Sequence, residues 1–204
     1  MQDKYSVINL RYFLDAESPS YIDETDLYSF LEEFKSPQNR DVEQFLHKNA
    51  VEFTKKSQSV TYLVLDNDSA DIVGYFSIAI KPLTIRAKDI SKTTAKKLSR
   101  VSILDEDYGT FMTSAFLLAQ FGKNYAISEE KRISGNDLLE LALSVIEDVK
   151  YAVGGILEFL ECEDNKFLLD FYTSHGFKLF DQRMTVTNED GVEPHLLYQL
   201  LKFI

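Results

Sequence analysis

Residues 115–121, AFLLAQF, carry no charge and are apolar on both faces of an extended chain, the pattern of a strand buried between two layers. Such a strand needs cover, and the chain supplies it directly downstream. After the polar stretch GKNYAISEEKRIS comes Gly135. Leu138, Leu139, Leu141, Ala142, Leu143, Val145 and Ile146 then recur at spacings of three and four, so one face of a helix lies back on the strand. The helix opens just after a glycine and polar side chains, where its first amide hydrogens lack partners and carry the positive end of the peptide dipoles. Strand, glycine-bearing turn and open helix start together make a place for an anion such as a pyrophosphate. Many ordinary strand-to-helix turns share this pattern.

The chain has 204 residues, 45% of them apolar, enough for one core and one domain over 1–204. It has no run of about 18 apolar residues, so no membrane span is expected. The opening MQDKYSVINLRYF has no basic end followed by an apolar run, so no secretion signal is read there. The single cysteine, Cys162, excludes an internal disulfide and fits a reducing cytoplasm. It ends a strand-like run with no histidine or basic residue near in sequence, and reads as a buried inert thiol. His47, His175 and His195 fall in separate segments without ligand spacing, so no metal is expected. A formal charge of −11 argues against a general nucleic-acid-binding surface. One local exception is the run Arg86, Lys88, Lys92, Lys96, Lys97 and Arg100, opposed only by Asp89. It reads as a solvated helix face, with a polyanion site as the alternative.

In chain order, YSVINLRYF (5–13) predicts an edge strand. Leu27, Phe30, Leu31 and Phe34 predict a helix, which Pro37 ends. A second helix follows, with Val42, Phe45, Leu46, Asn49, Val51 and Phe53 on its buried side. Val60–Leu65, the turn DNDSAD and Ile72–Ile80 predict a β-hairpin whose second strand stops at Lys81 and Pro82. A short helix over Ile90–Leu98 and a turn at 104–110 lead to the central strand. Gly154 and Gly155 end the central helix, and 156–163 is a strand. Asp164 or Asn165 caps a short helix that Gly176 ends, FKLFDQ is a strand, TNEDG a turn, and HLLYQLLKFI a last strand closing the sheet. The expected fold class is α/β, a central mixed sheet with helices on both faces and right-handed crossovers between 111 and 180.

Three local patterns in that order carry a family resemblance. One is the strand, loop and helix Gly-x-x-Leu-Leu-x-x-Ala-Leu at Gly135, Leu138, Leu139, Ala142 and Leu143. Another is Asn165, Tyr172 and the following TSHGF, similar to an Asn-x6-Tyr-x3-Gly-Phe closing motif. The third is the hairpin strand GYFSIAI, 74–80. Together they resemble the GCN5-related N-acetyltransferase (GNAT) superfamily over about residues 58–182, with a helical segment at 23–57 before and a strand at 194–203 after. The two leading helices, the basic KKLSR helix after the hairpin and the FY-x3-GF ending resemble the acetyltransferases of toxin-antitoxin modules, which modify the amino group of aminoacyl-tRNA. The phosphate loop departs from the family's Gln/Arg-x-x-Gly-x-Gly/Ala. Aligned on the helix, this chain has Glu130, Ile133 and Gly135, and the Ile133 side chain is expected to crowd the turn.

The resemblance implies acetyl-CoA as co-substrate and acetyl transfer to a primary amine, on a small molecule or an aminoacyl-tRNA. A degenerate fold acting as a binding module is the alternative. Gln120, Phe121 and Gly122 are the implied oxyanion donors, and Lys131, Arg132, Ile133, Ser134, Gly135, Asn136 and Asn165 the remaining cofactor contacts. Tyr172 is the implied general acid, and Glu161 on the neighbouring strand a candidate base. An acidic antitoxin and a homodimer are partners the resemblance leaves open.

Overall fold

The computed structural model describes residues 4–185 and 194–204, so the expected turn TNEDG lies outside the described residues. Strand β1 (Tyr5–Asn9) leads into a helical turn α1 (Arg11–Leu14), then α2 (Glu24–Leu31), α3 (Arg40–Gln44), a π-helical turn Phe45–Asn49 and α4 (Ala50–Lys55). The hairpin is β2 (Val60–Asp66) and β3 (Ile72–Arg86), followed by α5 (Lys92–Leu98), a short β4 (Leu104–Asp105) and the long β5 (Thr110–Lys123). Helix α6 (Gly135–Val153), β6 (Leu157–Glu163), α7 (Lys166–Ser174), β7 (Lys178–Met184) and β8 (Leu196–Phe203) complete the chain. It divides into two units, Met1–Ala79 with Leu118–Ala152, and Ile80–Leu117 with Val153–Ile204.

In the first unit β1 pairs with β2 and β2 with β3, both antiparallel. The strand expected over 5–13 stops at Asn9, where the Leu10 amide still donates to the Thr61 carbonyl and the chain turns helical. Asp23 and Asn39 cap α2 and α3 with their side-chain oxygens, and the acids of each first turn suit the helix dipole. Leu27, Leu31, Leu46, Ala50 and Val51 pack with Leu63, Ile72 and Tyr75 into one core. The second helix differs from its prediction at one turn. A π turn holds one residue more than an α turn, which shifts the buried face. Ala50 takes the inner position expected of Asn49, and both Asn49 and Phe53 are exposed.

Tyr75 gives a reason for that turn. Its fully buried hydroxyl donates to the Val42 carbonyl at 2.5 Å, an acceptor that a regular helix would offer to the Leu46 amide. Burial alone holds this phenol protonated well above the ordinary tyrosine value. Tyr75→Phe is expected to keep the ring's edge-on contact with Phe34 and to lose about 1–2 kcal/mol in urea denaturation, because a buried carbonyl loses its donor. On the opposite face of β3, Gly74 admits α6: a Cβ there would lie 3.1 Å from both methyls of Leu138.

In the second unit β8 pairs antiparallel with β6 on one side and β7 on the other. The last strand therefore does not close the sheet; β7 does. The cause is composition: Leu197, Leu200 and Leu201 suit an inner position, while Lys178, Asp181 and Arg183 make β7 the better edge. β3 also runs on through Pro82 to Arg86, past the expected stop. Its last partner on β2 is Val60 opposite Ile78, so beyond that point the missing proline N–H breaks no bond to β2. Leu83, Ile85, Leu98, Phe111, Ala115, Leu157, Phe159, Phe180 and Leu201 form this unit's core. Gly154, Gly155 and Gly176 all have positive φ where helices end, as predicted. Glu158, 1% exposed, is held by the Lys202 ammonium at 3.1 Å, which also lies over the Phe177 ring. No helix of the described residues is long and apolar enough to cross a membrane.

Candidate active site

In the first unit the end of β5 leads through the loop 124–134 into α6. Gln120 and Phe121 are half-exposed on β5. Gly122 is there for space: a Cβ would fall 2.5 Å from Val42 Cγ1. Ser134 caps α6, its hydroxyl accepting from the Asp137 amide at 3.0 Å and its carbonyl from Leu138. Gly135 opens the helix and Asn136 is exposed in its first turn. Ile133 is buried, 1% exposed, so its side chain anchors the loop in the core and does not crowd the surface of the turn as expected. Lys131 is exposed. Arg132 folds back on the loop, its Nη2 donating to the Ile127 carbonyl at 3.2 Å and its guanidinium lying 4.7 Å from the centre of the Tyr125 ring.

In the second unit Asn165 caps α7, its side-chain oxygen accepting from the Phe167 amide at 2.8 Å. Of the two capping residues the sequence allowed, this is the one used. Tyr172 is 7% exposed, edge-on to Phe171 and Phe177. Burial first, then the neighbouring Cys162, push its phenol far above the usual tyrosine value, so it stays protonated. Burial likewise raises the Cys162 thiol to about 11, the behaviour of an inert core cysteine.

Glu161 is differently placed from the base the sequence allowed. Its oxygens accept from Arg183 Nε at 2.7 Å, from Arg183 Nη2 and from Gln199 Nε2 at 2.7 Å. Burial alone would raise its carboxyl, but these bonds and the Arg183 charge outweigh burial and hold it below the ordinary range. A carboxylate so engaged ties β6 to β7 and β8 and is poorly suited to take a proton from an amine. Periodicity carried no sign of Arg183 as its partner, 22 positions away.

Of the basic run, Arg86 is tied to Asp89 and Asp181, and the Lys97 ammonium lies 4.8 Å from the centre of the Phe203 ring. Lys88, Lys92, Lys96 and Arg100 are exposed. Among the described residues no cluster of three or more metal-ligating side chains occurs.

No protein-family model and no curated protein sequence matches the chain. Solved structures do. The toxin AtaT complexed with acetyl-methionyl-tRNAfMet superposes with a TM-score of 0.61 at 16% identity, over 95% of this chain and 93% of that one. AtaTR bound with AcCoA gives 0.57 at 15% identity, over 98% and 94%. A tyrosine-to-phenylalanine mutant of KacT gives 0.58 at 15% identity, over 97% and 95%. The chain has the fold of the GNAT toxins. That GNAT fold accounts for the order of elements from the hairpin to α7, and for the leading helices as well, since the superpositions cover nearly the whole chain.

Proposed function

We propose that this protein is an acetyl-CoA-dependent N-acetyltransferase, and that charged tRNA is the acceptor it fits best. The observation that carries the reading is the near-complete superposition on AtaT, solved both with AcCoA and with acetyl-methionyl-tRNAfMet. The loop ahead of α6 and the glycine that opens the helix support a pyrophosphate site, with the Asp137 amide of the first turn already taken by the Ser134 hydroxyl. The exposed basic residues around α5 support a polyanionic acceptor despite the net charge of −11.

In this reading a neutral amine attacks the thioester carbonyl, an N–C bond forms and the C–S bond breaks. Backbone amides among Gln120, Phe121 and Gly122 stabilise the oxyanion, and the amine releases one proton to solvent. Tyr172 assists the departing thiolate. A thiol is more acidic than a phenol, about 8.5 against 10, and burial widens the gap, so the phenol acts chiefly as a hydrogen-bond donor to the developing charge on sulfur. With Glu161 held by Arg183, the reading assigns no side-chain base. The α-amine of an aminoacyl ester, being weakly basic, does not require one.

Calorimetry with acetyl-CoA is the test. Binding with Kd below about 1 mM is expected, and no binding well above that concentration would leave a non-catalytic module with a GNAT fold. For the acceptor, Lys92→Gln with Lys96→Gln should weaken acetylation of charged tRNA and flatten its salt dependence while sparing a small amine. Equal losses with both acceptors would remove tRNA from the reading.

A further inference from the structure

Asn124 follows the last residue of β5 and is 2% exposed, a buried polar side chain that local periodicity leaves unexplained. Its Oδ1 accepts from the Lys35 amide and the Ala126 amide, both at 2.9 Å. Its Nδ2 donates to the Ile72 carbonyl at 2.7 Å and, more weakly, to the Glu33 carbonyl at 3.4 Å. Its own amide donates to the Val73 carbonyl at 2.9 Å, and the next amide, of Tyr125, to the Lys35 carbonyl at 2.8 Å. A primary amide has two acceptor sites and two donors, and here all four meet backbone groups. Two N–H and two C=O partners also fix which end of the amide is oxygen. Aspartate lacks the donors, and an isosteric leucine would strand four main-chain groups.

These bonds join the start of β3, the link between α2 and α3, and the first residues of loop 124–134. The far end of that loop is set by Ser134 on the Asp137 amide, and its middle by Arg132 on the Ile127 carbonyl. Between these anchors Ser128, Glu129, Glu130 and Lys131 are exposed and form a 3-10 turn whose bonds, the Lys131 amide to the Ser128 carbonyl and the Arg132 amide to the Glu129 carbonyl, are internal to it, so the place of the turn depends on the anchors and on the buried Ile133. We infer that Asn124 is a positioning residue for cofactor binding, setting the course of the loop that receives the pyrophosphate. The inference rests on the acetyl-CoA reading. Phosphate contacts made by backbone amides tolerate little displacement, so the loop's course controls affinity even while the fold stands.

The test is calorimetric titration of wild type, Asn124→Ala and Thr61→Val with coenzyme A, at a temperature where each retains its native near-UV circular dichroism. Thr61 is a matched control in the same unit, a buried hydroxyl bonded to Ser77 at 2.9 Å and remote in sequence from the loop. Asn124→Ala should weaken coenzyme A at least tenfold, while Thr61→Val should stay within twofold of wild type. Equal affinity in wild type and Asn124→Ala overturns this inference alone, and so does an equal loss in both variants, which would show lost stability and nothing more. Wild type failing to bind overturns the acetyl-CoA reading and this inference with it. Should Asn124→Ala not fold, hydrogen exchange of wild type decides. The amide of Ala126, on an exposed residue, should exchange as slowly as amides in the middle of β3, and exchange near the free-peptide rate overturns the inference.

Discussion

Gly122→Ala is expected to destabilise the protein by about 2–3 kcal/mol, and Val42→Ala to recover much of that loss in the double variant. The added methyl carbon would lie 2.5 Å from Val42 Cγ1 and 3.4 Å from Phe34 Cζ, so something must move. Val42 is β-branched and helical, which leaves its side chain one favoured rotamer. Its carbonyl is held by Tyr75, which resists a shift of α3 as a whole. Val42→Ala alone should cost about 1–3 kcal/mol as a buried large-to-small change. Urea denaturation of the four proteins checks this. Strictly additive losses would show that the two positions do not press on each other, and Gly122 would then need another explanation.

Tyr172→Phe is expected to lower kcat by about 100-fold while leaving the Kd for acetyl-CoA near that of wild type. The ring contacts with Phe171 and Phe177 survive the change, so the effect isolates the hydroxyl. Because the folded phenol titrates above its unfolded value, its contribution to stability is complete below about pH 10 and is lost progressively above that, as pH rises towards and through the raised folded value. The variant should therefore lose less stability than wild type on the alkaline side. The same shift means that activity below about pH 10 shows no alkaline fall due to this phenol. Full activity in Tyr172→Phe would remove Tyr172 from the mechanism, and a large drop in stability at pH 7 would assign its hydroxyl to the core.

Local patterns were legible wherever neighbours in sequence decide structure. The 3.6-residue recurrence of leucines predicted α6 over its observed course, a cap at Asp164 or Asn165 predicted α7, and positive-φ glycines 154, 155 and 176 stand where helices stop. Failures arose where a distant residue altered a local rule. The Tyr75 hydroxyl, 33 positions away in sequence, meets Val42 just ahead of the π turn and of the shift from Asn49 to Ala50. Arg183 converted Glu161 from a free carboxylate into an ion-pair partner. Pro82 did not end β3, and on the β2 side pairing had already stopped at Ile78 opposite Val60, so the missing N–H costs no bond there.

For the candidate site, the sequence by itself determined the strand, the charged loop and the helix that follows Gly135, since periodicity acts over three or four residues, while the Ser134 cap on a start expected to be open came from the structure. Tyr172 and Asn165 were marked by their resemblance to the family's closing motif. Only the tertiary structure decided that Ile133 turns inward, that Arg132 closes on Tyr125, and that Asn124 binds main chain 89 and 52 positions away. Hydrogen bonds and close packing depend on which segments the fold brings within about 3–4 Å of each other, and no local repeat encodes that distance.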